Sequence, residues 1–73
     1  MTRTRAERVA RDLTPAQRLV LREMLKGGSA AEIADALDLS IFTVHNHSRE
    51  IYRSFGVTNR TGVLAPFVVA PKL

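Results

Sequence analysis

The stretch SAAEIADALDLSIFTVHNHSREIYRSFG, residues 29–56, decides the fold. It opens on Ser29-Ala30-Ala31-Glu32, a capping box in which a serine and a glutamate three residues later satisfy free amides at a helix N-terminus. Asp38-Leu39 predicts a tight turn, Ser40 predicts the cap of a second helix, and Gly56 predicts the end of that helix. The stretch therefore predicts two helices joined by a tight turn.

The second of these helices has two different faces when its residues are placed at 100° per residue from Val44. One face is suited to a core and carries Val44, Ser48, Ile51 and Phe55. The opposite arc, from about 100° to about 200°, carries His45, Phe42, Asn46, Arg49 and Arg53. His47 falls near the border of the core, which favours a structural role for it. The helix is predicted to bury one face and to expose hydrogen-bond donors on the other.

Helix signals continue on both sides of this stretch. Thr14-Pro15-Ala16-Gln17 is another capping box with proline at the first helical position, and Gly27-Gly28 stops the helix that follows it. Thr58 predicts the cap of a last helix from about Asn59, limited by Pro66. The sequence shows no alternation typical of strands. It predicts an all-α fold of four short helices over residues 13–70, with residues 1–12 as a basic N-terminal tail or an extra helix.

Composition excludes several classes of protein. The chain has 73 residues and no cysteine, so it has neither disulfides nor a thiolate zinc site, and little room for a catalytic cleft. Its longest apolar run, residues 63–70, is interrupted by Pro66 and is far shorter than the roughly 20 residues of a membrane helix. The charged N-terminus is unlike a secretory signal. We expect a cytoplasmic domain without enzymatic activity or cofactor.

Charge and helix pattern together point to a polyanion partner. The formal net charge is +4, and the positive charge is concentrated in the first twelve residues and from residue 39 onward. A helix fits the DNA major groove, where Arg pairs with guanine and Asn with adenine. Exposed Arg and Asn are, however, also common on a helix face that only meets solvent. The pattern alone leaves both interpretations open.

A family resemblance favours DNA. Residues 13–63 resemble the C-terminal DNA-binding domain of LuxR/FixJ-type bacterial transcription regulators. The matching positions are Leu13-Thr14-Pro15, Val20-Leu21, Gly27, Glu32-Ile33-Ala34, Leu37, Ser40, Thr43-Val44, His47, Ile51, Gly56-Val57, Arg60 and Thr61. The resemblance implies a four-helix helix-turn-helix domain whose third helix enters the major groove and whose fourth forms a dimer contact. Double-stranded DNA is the expected partner, with RNA polymerase or another regulator as a further one.

The resemblance also implies roles for individual residues. The base-contacting positions of the family fall on His45 and Asn46, and on Arg49 one turn later. Thr43 matches a position that contacts the DNA backbone, and the helix N-terminus from Ser40 can also hold phosphate. We also expect two arginines, Arg53 and Arg60, to contact phosphates. Three residues of the last helix are expected to form the contact of a weak homodimer: Val63, Leu64 and Phe67.

Several residues depart from the family pattern. They are Gln17 for a glutamate, Asp38 for the glycine of the turn, Ile41 and Phe42 for polar or basic residues, Ser54 for a phosphate-contacting lysine, and Gly62 for a glutamate. Together they reduce positive charge on the DNA face and add apolar surface. An alternative hypothesis is therefore an adaptor or anti-activator that keeps the fold but binds another regulator through Ile41, Phe42 and the fourth helix.

A metal site is not predicted at His45-Asn46-His47, although these letters spell the name of a nuclease motif. That motif needs two strands and a helix, with its residues far apart in the sequence. Histidines two apart on a helix point about 200° from each other, so they cannot share one ion.

Overall fold

The computed structural model describes residues 4–67, in which every regular element is a helix. The elements are α1 (Arg5–Asp12), α2 (Pro15–Leu25), α3 (Ala30–Leu37), α4 (Ile41–Phe55), α5 (Arg60–Leu64) and a 3-10 turn (Ala65–Phe67). No strand occurs in this part of the chain. The predicted all-α class is confirmed, and α1 is the extra helix that was predicted as the alternative to a basic tail. Residues 68–70, the predicted end of the domain, lie outside the described residues.

The predicted caps at the starts of α2, α3 and α4 are confirmed. The Thr14 hydroxyl accepts from the Gln17 backbone N–H at 3.2 Å, and the Gln17 side chain accepts from the Thr14 N–H at the same distance. Ser29 and Glu32 form the equivalent pair of bonds at 3.1 and 2.9 Å. Three local sequence signals therefore fix where three of the five helices begin.

The N-terminal segment is helical from Arg5. The Thr4 hydroxyl accepts from the Glu7 N–H and the Glu7 carboxylate accepts from the Thr4 N–H, both at 3.1 Å, which makes a third capping box. The side chain of Ala6 is buried in the core cluster. Residues 5–12 are thus part of the folded domain. Thr4-x-x-Glu7 has the same residue spacing as the capping box at Ser29.

Three residues in the left-handed conformation end helices or turn the chain. Gly27 has φ 88°, Gly56 has φ 70°, and Asp38 has φ 56° with ψ 47°. Asp38 is the only one of these with a Cβ, and it stands where the family pattern has glycine. Aspartate tolerates this conformation better than most residues. The Leu39 N–H donates to the Ala34 carbonyl at 2.8 Å, which closes the turn between α3 and α4.

The prediction that Thr58 caps the last helix is wrong. Asn59 is the N-cap, and its Oδ1 accepts from the Gly62 N–H at 2.9 Å. Asn is among the best N-cap residues, slightly better than Thr. The α-helix ends at Leu64 and continues as a 3-10 turn that contains Pro66. A Cβ on Gly62 would lie 2.7 Å from the Cβ of Val57, so α5 approaches the preceding loop too closely for any larger residue.

The core lies around α4, which packs against each of the other α-helices. Its buried hydrophobic residues are Ala6, Leu13, Val20, Leu21, Met24, Ile33, Ala34, Val44, Ile51, Phe55 and Val63. The rings of Phe55 and Phe67 meet edge to face at 6.1 Å. The buried hydroxyl of Ser48 donates to the Val44 carbonyl at 2.8 Å, so it needs no partner from another element.

Val63 does not lie on the predicted dimer surface. Its side chain is fully buried because α5 turns this residue toward α4. Leu64 and Phe67 are only partly buried, packed at the edge of the core. A five-residue helix shows no apolar periodicity from which its buried face can be read. Only Leu64 and Phe67 therefore keep accessible surface for the predicted contact.

Candidate nucleic-acid interface

The candidate site lies on α4, which is buried on one side and exposed on the other. The four residues predicted to face the core are all buried, and we call them the core stripe: Val44, Ser48, Ile51 and Phe55. The predicted opposite arc carries Phe42, Asn46, Arg49 and Arg53, which we call the outward stripe. Asn46 is partly buried and the other three are exposed. The faces of α4 are therefore as the sequence predicts.

Two histidines accompany the outward stripe. His45 is exposed at its edge, where a side chain can still reach a ligand that covers the stripe. His47 is partly buried, in keeping with its predicted place at the border of the core. The described residues contain no cluster of three His, Cys, Asp or Glu side chains able to hold a metal ion.

Asn46 and Arg49 are joined within the outward stripe. Arg49 Nη2 donates to Asn46 Oδ1 at 2.9 Å. This bond uses one of the two lone pairs of the Asn46 amide oxygen, and it leaves the amide N–H groups of Asn46 and the remaining guanidinium N–H groups of Arg49 for a ligand. The pair therefore presents donors. Guanine offers two acceptors, N7 and O6, in the major groove, whereas adenine offers one acceptor beside one donor.

The N-terminus of α4 carries the two hydroxyl residues expected at the DNA backbone. Ser40 Oγ accepts from the Thr43 backbone N–H at 3.0 Å and donates to Thr43 Oγ1 at 2.9 Å. Ser40 is exposed and Thr43 is partly buried. The amides of the first turn and the helix dipole favour an anion at this end. The structure brings these two residues together, next to the start of the outward stripe.

The two arginines expected to grip phosphate differ in their surroundings. Arg53 Nη1 lies 3.8 Å from Glu50 Oε1, and both side chains are more than half exposed. Such a pair is weak and opens at little cost. Arg60, at the start of α5, is partly buried and has no acidic partner among residues 4–67. Both guanidinium groups are therefore available to an anion.

A second basic region, which the sequence did not reveal, lies between α1 and α2. Arg11, Arg18 and Arg22 line a shallow cavity of about 280 Å³ together with Ala10, Leu21 and Leu25. On α2, Arg22 is about 200° around the helix from Val20, which is buried on the side of α2 that meets α4. This region thus faces away from α4. It shows that positive charge in this domain is not confined to α4.

Comparison with known proteins identifies the family of this chain. Residues 11–65, about three quarters of the chain, match the profile of the GerE domain, described as "Bacterial regulatory proteins, luxR family". Searches of curated proteins and of solved structures gave no significant match. No helix among the described residues is long and apolar enough to cross a membrane. On the evidence of this match and of its helix-turn-helix, the chain belongs to the luxR family of bacterial regulatory proteins, a family of DNA-binding transcription regulators.

Proposed function

We propose that this domain binds double-stranded DNA sequence-specifically, with α4 in the major groove. The observation that carries the proposal is the division of α4 into a buried core stripe and an outward stripe of donors. A recognition helix needs this division, because the protein must hold it rigidly on one side while side chains on the other meet base edges. His45, Asn46 and Arg49 are the proposed base contacts.

The Asn46–Arg49 bond favours guanine as the preferred base. An adenine amino group would have to share the Asn46 amide oxygen with the Arg49 guanidinium, which already uses one of its two lone pairs. Guanine needs no such sharing, since its N7 and O6 both accept from the donors of the pair. Arg49 is therefore the principal base-specifying residue in the proposed complex, and Asn46 orients its guanidinium.

Backbone contacts complete the proposed interface. Ser40 and Thr43 hold the N-terminus of α4 against one phosphate, while Arg53 and Arg60 contact others. Arg53 lies about 16 Å along the helix from Phe42 at 1.5 Å per residue, which is longer than the roughly 12 Å width of the major groove. A residue that far along the helix meets the backbone in preference to the bases.

The proposed assembly is a weak homodimer formed on DNA. Leu64 and Phe67 supply the apolar contact, and two copies then contact half-sites about one helical turn apart. Sedimentation with and without a two-half-site duplex tests this: we expect a monomer alone and a dimer on DNA. A single protein copy on that duplex would rule out the pairing. RNA polymerase or another regulator is the proposed protein partner of the DNA-bound form.

The main test is selection of binding sites from a random duplex library, followed by titration of the selected duplex at several salt concentrations. If four to six phosphates are neutralised, log K should fall against log salt with a slope of about −4 to −5 per monomer. A selected site containing guanine, together with this slope, would support the proposal. No enrichment and a flat salt response would refute it.

The second candidate function is a protein-binding adaptor. It is favoured by one observation, the exposure of Phe42 (71%) and Ile41 (47%) at the start of α4. Large exposed apolar residues that adjoin one another often mark protein interfaces. Tight binding of another regulator by a domain without DNA affinity would establish this function in place of the first.

A further inference from the structure

Phe42 is the most exposed large hydrophobic residue of the described chain, at 71%. It is the second residue of α4 and does not belong to the core or to the residues packed against it. A polar residue at this helix position would serve solubility better, and the family pattern has polar or basic residues here. The phenyl ring of Phe42 is therefore accessible to a ligand.

The position of Phe42 on α4 indicates where that ligand lies. At 100° per residue, Phe42 is about 20° from Arg49 and about 40° from Asn46, so it stands in the middle of the outward stripe. It precedes Asn46 by one turn, or about 6 Å. In helix-turn-helix proteins the N-terminal residues of the recognition helix meet the base edges. DNA bound along the outward stripe would therefore cover Phe42.

Ile41 does not share this position. It lies about 100° around the helix from Phe42, toward the border of the core, and is less exposed, at 47%. The two residues thus point in different directions, and Ile41 lies beside the surface that a ligand on the outward stripe would cover. A protein that docked on Phe42 would also block Asn46 and Arg49. These two points favour DNA over a protein as the partner of Phe42.

The chemical groups that DNA presents in its major groove indicate which base Phe42 would contact. Phenylalanine has no donor or acceptor, and the apolar group presented in the major groove is the C5-methyl of thymine. We propose that Phe42 contacts a thymine methyl group and specifies thymine next to the guanine that Arg49 contacts. This inference rests on the proposed function, and it assigns Phe42 a base-specifying role that the sequence comparison did not give it.

The test removes only the methyl group from the DNA. Once a site has been selected, each thymine is replaced in turn by deoxyuridine, and dissociation constants are measured for the wild type and for Phe42→Ala. At one position per half-site, deoxyuridine should weaken wild-type binding about fourfold, the loss expected for one methyl group no longer buried. Phe42→Ala should bind the thymine site more weakly and show no deoxyuridine penalty there.

Two further variants keep the result interpretable. Phe42→Leu retains an apolar side chain and should keep part of the deoxyuridine penalty. Leu19→Ala removes another exposed apolar residue (44%) from α2, away from the outward stripe, and should leave all dissociation constants unchanged. Because Phe42 is exposed, its variants should keep the circular dichroism spectrum and unfolding midpoint of the wild type.

The outcomes separate this inference from the function on which it rests. A selected site whose thymines all tolerate deoxyuridine, or an equal penalty in the wild type and Phe42→Ala, would overturn the thymine contact while leaving DNA binding intact. Failure to select any site would overturn the proposed function itself. Unchanged DNA affinity of Phe42→Ala together with loss of binding to a regulator would assign Phe42 to a protein interface and overturn the inference.

Discussion

The two faces of α4 differ sharply in their exposure to solvent. On the core stripe, Val44 and Ile51 have no exposed surface, whereas Phe42 on the outward stripe is 71% exposed. The same helix thus contributes to the fold with one set of residues and, in the proposed complex, to DNA recognition with another. Substitutions on the core stripe should change the free energy of unfolding, and those on the outward stripe should change affinity or base preference.

The largest expected effect is the loss of stability caused by a substitution in the core stripe. Ile51→Ala leaves a cavity among α2, α3 and α4 and should lower the free energy of unfolding by about 2–4 kcal/mol, measured by urea denaturation. Small domains are stable by about 5–15 kcal/mol in total, so this variant should be close to unfolding at 37 °C. Ser54→Ala, an exposed change on the same helix, is the control and should alter stability little. If Ile51→Ala is as stable as the wild type, the two faces are assigned backwards.

The next effect concerns base preference. Arg49→Ala should weaken binding to the selected site by about 1–3 kcal/mol and change the preference at one base pair. In the variant the Asn46 amide oxygen is no longer shared with a guanidinium, so the preference there should move from guanine toward adenine. Selection with the variant protein measures both effects. A uniform loss of affinity with the same selected site would mean that Arg49 contributes only charge.

A smaller effect should come from the phosphate contacts. Arg53→Ala should weaken binding to selected and random duplexes alike and reduce the salt slope by about 1. Arg22→Ala removes the same charge from the side of α2 that faces away from α4, and should leave the slope unchanged. Equal effects of the two substitutions would show that net charge, rather than position on α4, governs affinity.

The smallest effect is on stability in acid. Hydrogen bonds from the Ser29 backbone N–H and side chain hold the pKa of the Glu32 carboxyl below its ordinary value. The unfolded chain therefore takes up this proton first, so the contribution is present above about pH 4.3 and is lost as the pH falls through the lower folded-state pKa. Glu32→Gln should lose this acid dependence, as measured by unfolding midpoints between pH 3 and 6.

The capping box at Thr14 provides a matched control. It has the same two backbone bonds, but the residue at its N3 position is the neutral Gln17. Gln17→Glu should introduce an acid dependence of the same sign as that of Glu32. If it does not, the acid sensitivity arises elsewhere than in the cap.

Features fixed by neighbouring residues were predictable from the sequence. The caps at Thr14, Ser29 and Ser40 involve a side chain and an amide three residues away, so the sequence pattern contains both partners. The faces of α4 were predictable because fifteen residues give four helical turns, enough for the apolar spacing to define a direction.

Features that depend on contacts between residues distant in the sequence were not predictable in this way. Residues 5–12 were predicted as either a tail or an extra helix, and what favours the helix, the burial of Ala6 in the core, involves contacts with distant residues. Val63 was placed on a surface because α5 is too short for periodicity to reveal its buried side. The Asn46–Arg49 bond depends on two rotamers, which residue spacing permits but does not determine.

The close approach of Gly62 to Val57 also limits the order in which this sequence can change over generations. A Cβ at position 62 would overlap the Cβ and a methyl group of Val57, at 2.7 and 2.9 Å. No rotamer moves a side chain's own Cβ, and every residue except glycine has one, so a smaller residue at position 57 would relieve only the contact with the methyl group. The glutamate that the family resemblance implies at position 62 therefore becomes acceptable only after the loop at Val57 has shifted or residue 57 has become glycine. Lineages descended from this chain should thus change the loop around Val57 first and Gly62 second, and rarely in the reverse order.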